Sequence, residues 1–409
     1  MQFTNNRTIK KYFGICIFTT TLTLIRLIYV YFDDASLKTL NFTAKLAEGK
    51  YNKILRQYDK SEFIKLSTTE GEITHSIENI NTGKGDTNIN QVYSMMWHTK
   101  PFWAPKDILS YEFRNCAFRN CIVRESSDDT THGTCDAILF HHTEMNIKVP
   151  NKTSGQIWVF TSYESEIHTA KHFLKKGWDN KFDWVYSYRS DADISYPYGL
   201  PDRRHIQSEK NYTSLFREKS KNVAWVVSNC KSVSKRYQYI KEMMQTIQID
   251  IYGNCGKKCS SSWNSDKCFK DLSKDYKFYL AFENSICNDY VTEKIFRLYQ
   301  DGFDIIPVYR GARNIKDILP HDTFISSLDF SSPTQLALYM TNVGSNESTY
   351  TNYLKAKDKI FFKGHTRKEG LQSMYCSVCE KLNNKYKRSP KLNLTKWMFE
   401  KNCYIPTDV

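Results

Sequence analysis

No zinc-finger spacing, RNP-like segment or arginine-rich tail occurs in the sequence, so its formal net charge of +14 comes without the features of a nucleic-acid binder. No internal repeat is found, and the chain is not an array of stacked modules. Glycine and proline are scarce, 16 and 10 of 409 residues. With 25% charged and 40% hydrophobic residues, the composition is that of a globular chain, not a disordered or fibrous one. The length admits two ordinary domains with a sizeable core. A small-x-small cleavage motif is lacking after the first apolar run, where the sequence reads "VYFDDAS", which argues against a removed signal peptide. The positive charge leaves an anionic membrane surface, a phosphate-bearing ligand or a merely basic surface as its explanation.

What is present begins with that apolar run. Tyr12 to Phe32, "YFGICIFTTTLTLIRLIYVYF", is about 21 residues long, and a helix rising about 1.5 Å per residue would cross roughly 30 Å of hydrocarbon. Arg7, Lys10 and Lys11 precede it and Asp33 and Asp34 follow, a charge asymmetry that predicts a cytosolic tail at 1–11, a signal anchor at 12–32 and everything else across the membrane. Arg26 works against the span, at about 2.5 to 3.5 kcal/mol on insertion scales, but its long stem reaches toward an interface. Residues 33–91 are polar and without sustained periodicity, and read as a stem. Asn41, Asn151, Asn211, Asn346 and Asn393 each open an N-x-Ser/Thr sequon beyond the anchor, whereas the sequon at Asn6 should face the cytosol. Twelve cysteines fit an oxidising compartment. With Cys16 assigned to the span, eleven remain, so at least one thiol is unpaired or linked between chains.

From Val92 onward, short apolar runs alternate with helix-period segments. "VYSMMW", "DAILFH", "QIWVF" and "FDWVYSY" predict buried strands, with a helix near His168 to Lys175. After a polar connection from Pro201 to Lys221, "VAWVV" opens a second unit. A helix over Val233–Gln245 follows with Tyr237, Ile240 and Met244 on one face, and then come "IQIDIYG", "KFYLAF" and "FDIIPVY". The expected fold is α/β: two doubly wound, Rossmann-like domains at 92–205 and 206–375 facing a cleft, followed by a cysteine-containing segment at 376–409.

The densest polar cluster is in "FYLAFENSICNDYVTEKIF", Phe278 to Phe296. A strand, a helix from Tyr290 to about Gln300 capped by Asn288 or Asp289, and a returning strand would make a βαβ unit. Helix N-termini at strand carboxyl ends direct N–H groups toward an anion, so the cluster sits where a phosphate would. Val291, Ile295 and Leu298 should face the sheet, and Tyr290, Glu293, Lys294 and Arg297 the other side. Lys294 can neutralise a diphosphate, while Glu293 and Asn284 can bond sugar hydroxyls. By composition alone, an ordinary capped helix with a solvated Glu–Lys face explains the segment equally well.

This stretch resembles the signature of the α1,3/α1,4-fucosyltransferase family, glycosyltransferase family 10. The resemblance runs from about Met96 to Cys379 through "CDAILFHH", "GQIWVFTSYES", "FDWVYSYRSDADISYPYG", "VAWVVSNC", "IDIYGNCG", "IIPVYRGARN" and "CSVC". It implies a GT-B fold and inverting α1,3 transfer of L-fucose from GDP-fucose to a GlcNAc of a glycoprotein or glycolipid glycan in the Golgi. The N-glycan core and the lactosamine antenna are both open as acceptors. No metal is required, with Mn²⁺ or Mg²⁺ at most stimulating. The resemblance assigns the general base to Glu164 and leaving-group contacts to Arg236 and Lys294. It adds donor contacts at Ser228, Asn229, Asn284, Tyr290 and Glu293, with Tyr188 and Arg189 bordering the nucleotide. Disulfides are implied between Cys376 and Cys379 and the cysteines at Cys116 and Cys121.

The family's Glu-Ser-Pro appears here as Glu164-Ser165-Glu166, a departure expected to loosen the loop and one that adds Glu166 as a second candidate base. Cys255, Cys259 and Cys268 are close enough for a local bridge. Cys376 and Cys379 alone are weak zinc evidence. Asp191 and Asp193 form a D-x-D pair of the kind that holds a divalent ion in GT-A enzymes, but the pair falls inside a stretch matching the fucosyltransferases and reads as structural. The competing readings are therefore a metal-dependent GT-A transferase built on Asp191 and Asp193 and a catalytically silent glycan-binding protein of the same fold.

Overall fold

Side chains of a strand point alternately to the two faces of its sheet, and parallel strands buried on both sides read as nearly continuous apolar runs, as the runs read above largely do. The computed structural model describes residues 91–104, 113–124, 133–169, 177–202, 209–262, 265–364, 366–385, 392–400 and 402–409, all within one compact unit, Ile64–Val409. The expected tail, anchor, stem and Asn41 lie outside these residues, as does most of the helix expected near His168. Among the described residues no helix is long and apolar enough to cross a membrane.

The first sheet contains β1 (Tyr93–Thr99), β2 (Cys121–Arg124), β3 (Ala137–His141), β4 (Ile157–Ser162), β5 (Trp184–Ser187) and β6 (Ile194–Ser195), in the order β2-β1-β3-β4-β5-β6. Its pairings are parallel throughout. On one face Met95, Trp97, Leu139, Val159 and Tyr186 pack with Leu371, Met374, Tyr375 and Val378. On the other, Met96, Ile138, Phe140, Trp158, Phe160 and Val185 pack with Trp178, Phe182, Leu394 and Met398.

β7 (Gly199–Asp202) leaves this sheet to pair with a late strand. The second sheet contains β8 (Lys221–Val226), β9 (Ile249–Tyr252), β10 (Tyr276–Phe282), β12 (Ile306–Arg310) and β13 (Ile325–Ser326), ordered β13-β12-β10-β8-β9 and again parallel. Val223, Trp225, Phe278, Leu280, Ile306 and Val308 meet helices carrying Tyr239, Ile240, Met243, Leu336, Met340 and Tyr350. Between β10 and β12 lies the short β11 (Ile286–Cys287), and β14 (Phe361–Gly364) pairs β7. β15 (Cys403–Tyr404) pairs β11 antiparallel.

Several local expectations shift for physical reasons. The polar connection after Pro201 contains a helix, α1 (Tyr212–Glu218), capped by Asn211. The next helix, α2, is Arg236–Met243, and its buried face is Arg236, Tyr239, Ile240 and Met243, not Tyr237, Ile240 and Met244. The face turns because Arg236 points inward, donating to the carbonyls of Phe282 at 2.6 Å and Asn229 at 3.1 Å. The helix expected from Tyr290 starts later, as α3 (Glu293–Phe296) and a following 3₁₀ turn at Arg297–Tyr299. Asp289 stands in the left-handed region at φ 60°, and its N–H is taken by the Asn314 side chain at 3.0 Å. Thr292, not Asn288 or Asp289, is the N-cap. A later helix, α4 (Arg367–Asn383), carries the residues just named against the first sheet, so the expected boundary at 375 falls inside a helix that packs there. The final helix, α5 (Leu394–Phe399), covers the opposite face.

The cysteine pairing is more extensive than expected. Cys116–Cys376 and Cys121–Cys379 pin α4 to the edge of the first sheet. Cys259–Cys268 is the local bridge, whereas Cys255 pairs with Cys230 and Cys287 with Cys403. Cys135 is free and buried. Asn151, Asn211, Asn346 and Asn393 are exposed. Asn211, Asn346 and Asn393 also cap helices through their side-chain oxygens. Replacing Cys121 and Cys379 together by serine opens a crosslink between residues 258 apart. The expected loss of stability is about 2–5 kcal/mol, read from thermal or denaturant unfolding of the oxidised protein.

Candidate active site

The last strand residue of β4, Ser162, is followed by a loop whose crest is Glu164, an exposed side chain. The Glu164 Oε2 accepts a hydrogen bond from the Tyr290 hydroxyl at 3.1 Å. Burial first, then the Tyr198 phenol and Glu164 itself, push the Tyr290 hydroxyl well above the ordinary tyrosine range, so it stays protonated and donates. Ser165 meets Ser285 hydroxyl to hydroxyl, and Ser190 donates to Asp289 through its N–H at 2.9 Å and its hydroxyl at 2.7 Å. The loops after β4 and β5 are thus keyed to the segment after β10 by direct side-chain contacts.

That segment is organised by Glu283, a carboxylate that looks in the sequence like its acidic neighbours. Its carboxylate is fully buried, at 0% exposure, and accepts from the Thr292 N–H and hydroxyl at 2.9 Å. The Lys294 ammonium lies 2.9 Å from its Oε2 and also donates to the Thr292 hydroxyl at 2.8 Å. Burial raises the Glu283 carboxyl against the opposing pull of Lys294. For Lys294, burial would lower the amine, but Glu283 and Glu293 outweigh it and the net shift is upward. The ammonium is therefore held charged while its side chain keeps 26% of its surface open. Glu293, 54% exposed, stands 3.7 Å from Lys294. Burial raises its carboxyl, but Lys294, its own N–H and Arg297 more than offset that and the shift is downward. Gly311 closes the site from behind: a Cβ there would meet the Tyr309 hydroxyl at 2.3 Å and the Glu283 Cγ at 2.7 Å.

Arg236 supplies a second cation, 4% exposed, in the first turn of α2. Burial lowers its guanidinium, partly opposed by Glu283. Its Nε is buried without a hydrogen-bond partner among the described residues, an orphan donor of the kind an anionic ligand satisfies. Ser228 and Asn229 are exposed in the loop before it, and Asn229 offers its carbonyl to Arg236. Asn284 is half-buried, its carbonyl accepting from the Ser234 N–H at 3.2 Å.

Other candidates stand differently. Tyr188 and Arg189 are buried. Arg189 is engaged by both oxygens of Asp191 at 2.8 and 2.6 Å, by Glu166 at 3.0 Å and by the Trp397 carbonyl at 2.7 Å. Four of its five N–H donors are committed to this network. Tyr188 donates to Glu166 at 3.1 Å. Asp193 accepts from the Val185 N–H at 2.8 Å. The D-x-D pair therefore holds an arginine and a strand amide, which counts against a metal site there. Glu166 is itself 2% exposed and surrounded by donors, so it is not a competing base, and the loop is tied down rather than loosened. Among the described residues, the group near enough to share a metal ion is Glu166, Cys287 and Cys403. The two cysteines form a disulfide and offer no thiolates.

Replacing Lys294 by methionine leaves Glu283 buried without its cation. A loss of about 3–5 kcal/mol is expected near neutral pH. A carboxyl whose folded pKa lies above its unfolded value is destabilising when ionised, so the deficit should shrink as pH falls through the raised folded pKa toward the ordinary value of about 4.3. Denaturant unfolding of both proteins as a function of pH checks this.

Residues 216–397 match the profile of glycosyltransferase family 10 (fucosyltransferase) C-term, and residues 90–199 that of fucosyltransferase, N-terminal. Glycoprotein 3-α-L-fucosyltransferase A of Drosophila melanogaster is 35% identical over 66% of this chain and 52% of its own length. A 3-galactosyl-N-acetylglucosaminide 4-α-L-fucosyltransferase of Bos taurus is 33% identical over 64% of this chain and 70% of its own length. The chain thus spans about half of the first relative, 52%, and more of the second. A solved α1,3-fucosyltransferase with GDP-fucose is 15% identical, with a TM-score of 0.47 over 78% of this chain and 96% of that one. With both profiles matched in chain order and relatives at this identity, the chain belongs to glycosyltransferase family 10, the fucosyltransferases.

Proposed function

We propose that this protein transfers L-fucose from GDP-fucose, with inversion, in α1,3 linkage to a GlcNAc of an N-glycan core or lactosamine antenna. In this reading it is a type II anchored Golgi enzyme with a GT-B arrangement of lobes at 92–205 and 206–375, with α4 returning to the first. The names of its relatives support the reaction class. The observation that carries the mechanism is the Glu164–Tyr290 hydrogen bond, which joins the candidate base to the segment bearing Lys294.

Inverting transfer is an in-line displacement at the anomeric carbon. The acceptor hydroxyl gives its proton to Glu164, whose Oε2 is oriented by Tyr290, leaving Oε1 for the hydroxyl. The new carbon–oxygen bond forms on the face opposite the diphosphate, and the bond to the β-phosphate oxygen breaks. GDP departs with that electron pair. Its growing charge is met by the ammonium of Lys294 and the guanidinium of Arg236, fixed before the reaction begins. Glu293 and Asn284 are placed to bond the sugar and Ser228 and Asn229 to border the nucleotide. No step needs a metal, and the engaged Asp191 and Asp193 make the GT-A alternative the weaker one. Glu166, the local hint of a silent glycan binder, secures the loop instead of disabling it.

Glu164→Ala should lower kcat by about 10²–10⁴-fold while leaving GDP-fucose binding in place. Transfer assays on a panel of N-glycan and lactosamine acceptors, with product linkage analysis, check both the base and the acceptor. Activity near that of the unmodified protein would refute Glu164 as the base, and no turnover by the unmodified protein on any acceptor would favour the binder.

A further inference from the structure

We infer that Glu166 is a positioning residue for Glu164, a buried carboxylate clamp that ties the loop carrying the base to Asn402 and so to the donor segment. The inference rests on Glu164 being the base.

The clamp is built from three directions. Glu166 Oε1 accepts from Arg189 Nη1 at 3.0 Å, out of the loop after β5, and from Asn402 Nδ2 at 2.7 Å, in the C-terminal segment. Oε2 accepts from the Tyr188 hydroxyl at 3.1 Å. Arg189 is immobilised in turn by the bidentate Asp191 and by Trp397, whose ring lies 4.1 Å below the guanidinium. Asn402 is equally constrained: its carbonyl accepts from the Asn288 N–H at 3.0 Å, and its neighbour Cys403 is bonded to Cys287 within the β11–β15 pair. Glu166 therefore registers the positions of the loop after β5 and of residues 286–288 at once.

The loop passes this registration on to the base. The Ser165 carbonyl accepts from the N–H groups of His168 and Thr169 at 2.9 and 3.0 Å, and the Glu166 carbonyl from Thr169 at 3.2 Å. Residues 165–169 thus form a turn anchored by Glu166, and Glu164 follows any shift of that turn across two peptide bonds. A buried ion pair is often only structural and can be replaced by apolar groups without loss. This one differs in standing on the same short loop as the exposed carboxylate whose placement fixes the reaction distance. A displacement of about 1 Å at such a group costs about 10²-fold in rate.

The test uses the full-length protein, GDP-fucose and a GlcNAc-terminated acceptor, with kcat expressed per GDP-binding site from calorimetric titration so that misfolded protein is not counted. Glu166→Gln keeps the shape and removes the charge. It should lower kcat by about 10–100-fold while the KM for GDP-fucose stays within about twofold. Asn402→Ala removes one donor and keeps the ion pair, and it carries the same expectation, at about 3–10-fold, if the first variant does not fold. Combining Glu166→Gln with Asn402→Asp returns the carboxylate to the cluster from the other side and should recover about tenfold of the loss. Glu164→Ala is measured alongside. If it stays active, the base assignment fails and this inference with it. If it is inactive while Glu166→Gln and Asn402→Ala match the unmodified kcat, or if the double variant is no better than Glu166→Gln alone, the inference is overturned and the base assignment stands.

Discussion

A carboxylate shut off from water governs the donor end of this molecule. Glu283 cannot remain ionised in the interior unless donors and a cation surround it, and the chain meets that demand with Thr292 and Lys294. The requirement explains why Thr292 is buried, why it and not an earlier polar residue caps the helix, and why Lys294 projects from the first turn at a fixed height. The same ion pair that satisfies Glu283 presents an ammonium at the site's mouth. In the proposed mechanism, structure and catalysis would draw on one interaction.

Around this point the molecule couples its two sheets by polar contacts that each involve one residue from the loops after β4 or β5 and one from residues 283–290. Tyr290 with Glu164, Ser165 with Ser285, and Ser190 with Asp289 hold the loop carrying Glu164 against the segment that leads into Lys294. The C-terminal segment reinforces the arrangement. Arg310, at the end of β12, is paired bidentately with Asp408 at 2.7 and 2.8 Å and stacked 4.3 Å from Tyr239. Its Nη2 lies 3.4 Å from the Ser234 carbonyl, just ahead of Arg236. Arg236 and Lys294 are thus both held by neighbouring side chains and carbonyls.

The strands were readable because alternation and length are local properties: "KFYLAF", "QIWVF" and "VAWVV" each fold within a residue or two of where the pattern puts them. Helix faces were less so, since an inward arginine turned α2 by one position and α3 is capped by Thr292 rather than by Asn288 or Asp289. Asp191 is paired with Arg189 and Asp193 accepts from the Val185 N–H, detail that their D-x-D spacing does not announce. What could not be read is long-range chemistry. A buried carboxylate such as Glu283 or Glu166 looks in sequence like any exposed one, and nothing near Cys403 names Cys287, 116 residues away, as its partner. Glu164, Arg236 and Lys294 stood out through the resemblance of their surroundings, not through composition.

A structure of this protein with GDP-fucose and a glycan acceptor tests the central claim most directly. The account predicts diphosphate oxygens within hydrogen-bonding distance of both Arg236 and Lys294, and the attacking hydroxyl about 2.6–3.2 Å from the Glu164 carboxylate. A nucleotide bound away from those two cations, or an acceptor hydroxyl facing some other base, would contradict it.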